Sequence, residues 1–175
     1  MNEQADAVVV PTAARKRLGE LYALHAAPLQ RLGYLLTGDH HLAEDLTQQA
    51  FVKFYGRFFD LRSPSAAAAY LRKTLLNLAR GSHRRKQTER EYVRRHASSA
   101  EPAAEMPSVE DSDLVINALH ALPYRQRAAI VLRFYEDLTE AQAADVMDCS
   151  PTAMKSLTAR AMSSLRAILE GADSD

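Results

Sequence analysis

The chain has 175 residues, enough for one domain or two small ones, and its 22 Lys and Arg balance 22 Asp and Glu, which excludes a globally basic nucleic-acid binder. The single cysteine, Cys149, excludes an internal disulfide and suits a reducing cytoplasm. No apolar run approaches the ~20 residues of a membrane span or follows a charged start as a secretory signal does, so no membrane insertion is expected. No segment alternates apolar and polar residues with β-branched enrichment, and glycines and prolines fall mostly at boundaries, so the expected fold class is all-α.

Residues 1–11 show no periodicity and are expected to fray. From Thr12, Leu18, Leu21, Tyr22, Leu29, Leu32, Leu35 and Leu36 form a helical stripe, which Pro28 is expected to kink or restart. Thr37-Gly38-Asp39 ends it, and Asp39 is placed to cap a second helix. There Leu42, Ala43, Leu46, Ala50, Phe54 and Phe58 face inward, while Glu44, Asp45, Gln48 and Gln49 face outward. That acidic, amide-rich face is either solvated or meets a basic partner.

Phe59 to Ser65 reads as a loop, with Ser63-Pro64 as cap and first turn of the next helix. This helix keeps an apolar stripe through Ala67, Leu71, Thr74, Leu75 and Leu78. From Gly81 to Lys86 the stripe stops, so a basic end projects beyond the core. Charge is segregated here: Arg80, Arg84, Arg85, Lys86, Arg90, Arg94 and Arg95 face only Glu89 and Glu91, whereas Ala97 to Asp111 holds four acids and no Lys or Arg. The basic run is either a solvated face or a surface that tracks phosphates. The Ala/Ser/Pro/acid-rich stretch after it reads as a flexible linker between two helical domains.

Beyond the linker, Leu114, Val115, Ala118 and Leu119 begin a helix and Pro123 restarts one. Ala128, Ile130, Val131, Leu132, Phe134 and Tyr135 make this helix apolar on nearly every side, as a buried central helix should be. Two short helices around a tight turn follow. Thr139 and Gln142 form a capping box, with Ala141, Ala144 and Met147 on one face; after Asp148-Cys149, Ser150 caps a helix with Pro151 at its first position. Met154, Leu157, Ala161, Leu165 and Ile168 point inward, leaving Thr152, Lys155, Ser156, Ala159 and Arg160 outward near the N-terminus. A helix-turn-helix offers such a face to base edges and phosphates. An ordinary antiparallel helix pair with a solvated face fits the same pattern.

Nothing in the chain makes a catalytic constellation. His25, His40, His41, His83, His96 and His120 have no metal-ligand spacing, there is no glycine-rich phosphate loop and no nucleophile elbow, and Glu44 and Asp45 point about 100° apart on a helix. Neither an enzyme nor a metal or other cofactor is expected.

Taken together and in order, these parts resemble an RNA polymerase sigma factor of the extracytoplasmic-function (ECF) type, in the sigma-70 family, over Leu18 to Leu169. AEDLTQQAFVKFY (Ala43 to Tyr55) is similar to the core-binding helix of region 2, YLRKTLLNLARGSHRRK (Tyr70 to Lys86) to the helix that recognises and melts the minus-ten element, and Ala121 to Arg166 to region 4. The resemblance implies region 2 at 12–96, a linker at 97–111 and region 4 at 112–170. Its implied partners are the β and β′ subunits of core polymerase, promoter DNA and an anti-sigma factor. It implies core docking by Glu44, Asp45, Leu46, Gln48 and Gln49. It assigns the minus-ten element to Phe59, Arg62, Ser63, Tyr70, Asn77, Arg80, Arg84, Arg85 and Lys86, with Asn77 reading an extruded base. It assigns the minus-thirty-five element to Thr152, Lys155, Ser156, Ala159 and Arg160.

Where the family's recognition helix opens Gly-Thr-Val-Lys-Ser, this chain has Thr152-Ala153-Met154-Lys155-Ser156, and Leu157 and Thr158 replace its frequent Arg or Gln and Leu or Ile. With no tryptophan, stacking on a melted strand falls to Phe58, Phe59 or Tyr70. A stand-alone helix-turn-helix regulator binding operators as a dimer leaves the Asp45/Gln48 face unexplained, and no apolar heptad offers a dimer seam. A helical protein-interaction adaptor is the remaining alternative.

Overall fold

A computed structural model describes residues 12–60, 63–96 and 111–172, and among them every regular element is helical. A first unit contains α1 (Thr12–Thr37), α2 (His40–Tyr55) and α3 (Pro64–His96); a second contains α4 (Asp111–Ala121), α5 (Tyr124–Ile130), α6 (Glu140–Val146) and α7 (Pro151–Ala172). The N-terminal residues 1–11 and linker residues 97–110 lie outside the described part.

The helix starts follow the expected chemistry. Asp39 accepts from Leu42 N at 3.0 Å and Ser63 Oγ from Ala66 N at 3.1 Å, each satisfying an orphan donor. The Thr139 capping box is complete, with Gln142 N donating to Thr139 Oγ1 at 3.2 Å and Thr139 N to Gln142 Oε1 at 2.8 Å. Ser150 Oγ accepts from Ala153 N at 3.1 Å, with Pro151 in the first turn of α7.

In the first unit the three helices enclose Leu32, Leu36, Leu46, Phe54, Leu71 and Leu75. Phe54 is fully buried, with the rings of Phe51, Phe58 and Tyr70 at 6.5, 5.9 and 6.1 Å. Truncating such a phenylalanine to alanine costs about 3–5 kcal/mol. The connection between α1 and α2 needs two glycines. A Cβ on Gly33 would stand 3.0 Å from Ala43 Cβ, so its absence lets α1 and α2 approach; Gly38 has φ +74°, and a Cβ there would meet His120 at 3.0 Å.

Three expectations are narrowed or corrected. Of the two outcomes expected at Pro28, a restart does not occur: α1 runs unbroken to Thr37, and both Pro28 and Leu24, the residue whose carbonyl loses its donor, lie on the exposed side, open to solvent. The apolar helix after Pro123 is buried only as far as Leu132. At Val131–Tyr135 it widens into a π-helical turn, closed by Glu136 N donating to Val131 O at 3.0 Å, and the extra residue rotates Phe134 and Tyr135 to the surface. In α6 the inward face is Ala143, Ala144, Val146 and Met147, and Ala141 is exposed.

The two units touch. α1 and α3 pack against α4 and α5, and the buried apolar residues of both units form one cluster. Tyr124 donates to Leu76 O at 2.9 Å, His120 Nε2 lies 3.2 Å from Leu35 O, and Arg31 Nε donates to Tyr135 Oη at 3.2 Å. Arg127, 7% exposed, donates to Leu36 O across the interface and to His120 O within its own unit, both at 2.8 Å. These carbonyls lie in the last turns of α1 and α4, where the negative ends of two helix dipoles favour a cation.

Candidate nucleic-acid and partner interfaces

Three surface stripes carry the chain's polar chemistry, each backed by packed side chains. On α2, Glu44, Asp45, Gln48 and Gln49 are all exposed, and Gln49 Nε2 donates to Asp45 Oδ2 at 2.8 Å, one turn apart. The inward residues Ala43, Leu46 and Ala50 are at most 1% exposed and fix the rotation of this helix. Leu46 is therefore removed from the docking set: its neighbour Asp45 faces water, but a 100° step per residue turns Leu46 into the core. Two residues unassigned from the sequence extend the same face, Val52 (73% exposed) and Tyr55 (44%). Their signal was available in the spacing 45, 48, 52, 55.

On α3, Leu71, Leu75 and Ala79 anchor the first half, and Asn77, Arg80, Arg84, Arg85 and Lys86 are exposed. Ser63 lies at the exposed start of the helix; Arg62 is outside the described residues. Of the three aromatic rings available for stacking, Phe59 is 63% exposed and Phe58 is 4% exposed, so only the first presents a free ring. Phe58 instead packs on Phe54, with the Arg17 guanidinium 5.3 Å from its centroid. Tyr70 is half-buried against Phe54 and its hydroxyl donates to Lys53 O at 3.4 Å, so it forms a wall of the core with an accessible edge. Lys86 Nζ stands 3.7 Å from Asp39 Oδ2, a solvent-exposed pair worth at most about 1 kcal/mol.

On α7, Thr152, Lys155, Ser156, Ala159 and Arg160 are all exposed, as the helical spacing requires. Fully buried Met154 and Ala161 seat the helix on α5 and α6. Arg160 Nε donates to Ser156 O at 3.3 Å, which lays its side chain back along the face. Thr158 turns inward and donates to Met154 Sδ at 3.7 Å, which accounts for a small hydroxyl where the family favours Leu or Ile.

The residues missed by sequence reasoning join the units. Arg72 Nε lies 2.6 Å from Glu136 Oε2 and Lys73 Nζ 2.7 Å from Asp148 Oδ1. Lys73 holds the Asp148 carboxyl below its ordinary range and is itself raised by that bond. Burial, then the nearby Arg127 charge, lowers the His120 pKa; the Tyr124 phenol is pushed up, mainly by burial. Among the described residues no cluster of His, Cys, Asp and Glu can hold a metal, and no helix is long and apolar enough to cross a membrane.

Comparison with known proteins accounts for both units. The family model for sigma-70 region 2 matches residues 21–89, and that for sigma-70 region 4 matches residues 112–165. An RNA polymerase sigma-E factor of Streptomyces avermitilis is 32% identical over 142 residues, covering 76% of this chain and 74% of the relative. The ECF RNA polymerase sigma factor SigM of Bacillus subtilis is 26% identical over 164 residues, covering 86% and 94%. The sigma factor RpoE of Bartonella quintana, solved in complex with the anti-sigma factor NepR, superposes with a TM-score of 0.70 at 25% identity, covering 89% of this chain and 98% of that one. With its two regions in family order, the chain belongs to the sigma-70 family of RNA polymerase sigma factors and, within it, to the ECF type.

Proposed function

We propose that the chain binds core polymerase through α2, reads the minus-ten element with α3 and the minus-thirty-five element with α7, and so selects promoters and helps open them without catalysis of its own. The domain limits are region 2 at 12–96, linker at 97–111 and region 4 at 112–170. The observation that carries the reading is that three chemically distinct stripes, one acidic and amide-rich and two basic and polar, are all solvent-exposed on helices whose opposite faces are locked in the core. A self-sufficient operator binder needs only the third.

On α2, Asp45, Gln48 and Gln49 present a carboxylate and two amides to a basic surface of β′, with Glu44 beside them and Val52 and Tyr55 adding apolar area. On α3, the Asn77 amide both donates and accepts, as the edge of a flipped base requires, while Phe59 supplies the stacking ring and Arg80, Arg84, Arg85 and Lys86 hold the upstream backbone. On α7, Lys155 and Arg160 reach base edges or phosphates, flanked by Thr152, Ser156 and Ala159. The protein works in the cytoplasm, where polymerase is, and an anti-sigma factor, such as the one bound to the B. quintana neighbour, is a natural partner for these exposed faces.

The test is transcription from a promoter library by purified core polymerase with and without the chain. The wild type should direct initiation from a defined promoter class. Asp45→Arg should lose core association and transcription yet retain helicity and melting temperature, because the reversed charge meets a basic partner while the residue is solvated in the free chain. Full transcription by that variant would remove α2 as the docking face.

A further inference from the structure

The C-terminal part of α3 runs on beyond the core. Its last buried residue is Ser82, 7% exposed, and from Arg84 to Arg95 every residue but Glu91 is exposed. Within that stretch Arg84, Arg85 and Lys86 precede Thr88, and Glu89 and Glu91 follow it. Among the described residues Arg84 and Arg85 form no ion pair, whereas Lys86 faces Asp39 and Arg95 pairs with Glu91.

Thr88 continues the side of the helix proposed to face DNA. Steps of three, four and four residues link Asn77, Arg80, Arg84 and Thr88, which puts them on one stripe, and Thr88 Oγ1 donates to Arg84 O at 3.0 Å, one turn back. The other aliphatic hydroxyls of α3 lie elsewhere: Ser65 is in the first turn, Thr74 belongs to the core stripe and Ser82 is buried. Among the described residues, Thr88 is thus the hydroxyl that α3 exposes among its arginines. A protein kinase reads its substrate as an extended segment, and this stretch can supply that shape. Without tertiary packing, a helix shorter than about 12–15 residues is marginal in water and opens locally.

We propose that Thr88 is a phosphorylation site that switches off the DNA-binding side of α3, the acceptor being selected by a serine/threonine kinase that recognises the three cations before it. This rests on the reading of α3 as the minus-ten helix. In the transfer, Oγ1 attacks the γ-phosphorus of ATP, the bond to the bridging oxygen breaks, ADP leaves with that electron pair, and the hydroxyl proton passes to the kinase's base. The product carries about two negative charges and three acceptor oxygens one turn from Arg84 and Arg85. Those guanidiniums then pair with the attached phosphate in place of DNA phosphates, and its charge repels the strand as well. The docking stripe of α2 lies on another helix, so the modified chain still binds polymerase and fails at the minus-ten element.

The experiment has two arms. In the first, the full chain is recovered from its own host during growth and under stress, and its peptides are analysed by mass spectrometry; a phosphate on Thr88 is expected, and none at that position in Thr88→Val. In the second, the full chain with phosphothreonine built in at position 88 is compared with the unmodified chain. Its affinity for a random-sequence single-stranded oligonucleotide at low salt should fall at least about tenfold, with a shallower dependence on salt because two cations are withdrawn. Thr88→Val should bind the oligonucleotide within about twofold of wild type, since it keeps every cation, and all three chains should bind core polymerase equally. Absence of phosphate from Thr88 in every condition, wild-type oligonucleotide affinity in the phosphorylated chain, or an equal loss of affinity for polymerase overturns the proposal. A chain that is phosphorylated at Thr88 and thereby weakened for the oligonucleotide, yet in unmodified form supports no transcription with core polymerase, upholds the switch and fails the promoter function instead.

Discussion

At the scale of single residues, the DNA-facing roles proposed for α3 and α7 are distinguishable by the defect each predicts. Lys155 and Arg160 project from α7 into solvent and Asn77 from α3. Loss of either cation at a base contact should cost about 1–3 kcal/mol and relax selection at the upstream element alone, measured by competing promoter libraries. Asn77→Ala leaves a flipped base's polar edge unpaired, so it should impair discrimination at the minus-ten element and opening reported by a fluorescent base analogue there. His120 gives a stability test. Burial and Arg127 lower its pKa from the ordinary 6.5, so between the unfolded and folded values the unfolded chain binds more protons. Its contribution is therefore complete above pH 6.5 and declines as the pH falls, and lowered His25 and His83 act in the same direction. Melting temperature should drop from pH 7 toward pH 5, with a shallower drop in His120→Gln.

At the scale of elements, the tight α1–α2 contact and the open side of α3 predict opposite responses at two glycines. Gly33→Val drives branched methyls into Ala43 and should destabilise by about 1–3 kcal/mol in a denaturant titration, whereas Gly81→Ala, with nothing within 4 Å of the added carbon, should stabilise α3 by roughly 0.5–1 kcal/mol. The helix starts were legible because a cap is local chemistry: Asp39, Ser63, Thr139 with Gln142, and Ser150 with Pro151 each declare a boundary within four residues. The exposed face of α7 was legible because period and burial agree along the helix. The fate of Phe134 and Tyr135 was not, since one inserted residue in a π-helical turn breaks the phase on which any periodic reading depends. Leu46 was misassigned by carrying a contiguous motif across a helix that separates its neighbours onto opposite faces.

At the scale of the molecule, what the sequence leaves unreadable is the joining of the units, because those contacts link residues such as Leu36 and Arg127 that no period or motif relates. Arg127 follows Arg125 and Gln126 and precedes the apolar run Ala128 to Leu132, so nothing local separates this buried cation from the exposed Arg125 two residues before it. Among the described residues Arg127 has no carboxylate as a hydrogen-bond partner; it is held by the carbonyls of Leu36, His120 and Leu122 at 2.8, 2.8 and 3.2 Å, the first from α1 and the other two from around the end of α4. A methionine of similar reach would fill the space but leave buried carbonyls unpaired and remove the charge that both helix ends favour. Arg127→Met should therefore lower stability by about 2–4 kcal/mol and loosen the seam between the units. Because one apolar cluster spans both units, the wild type should unfold in a single transition by calorimetry and by circular dichroism alike. The variant should separate into two, with the α4–α7 unit melting first, since Arg127 also bonds carbonyls within that unit and α1–α3 retains the Phe54 core intact. A wild-type melting curve from Arg127→Met would show that the guanidinium contributes nothing net to the seam, its desolvation cost cancelling its three bonds.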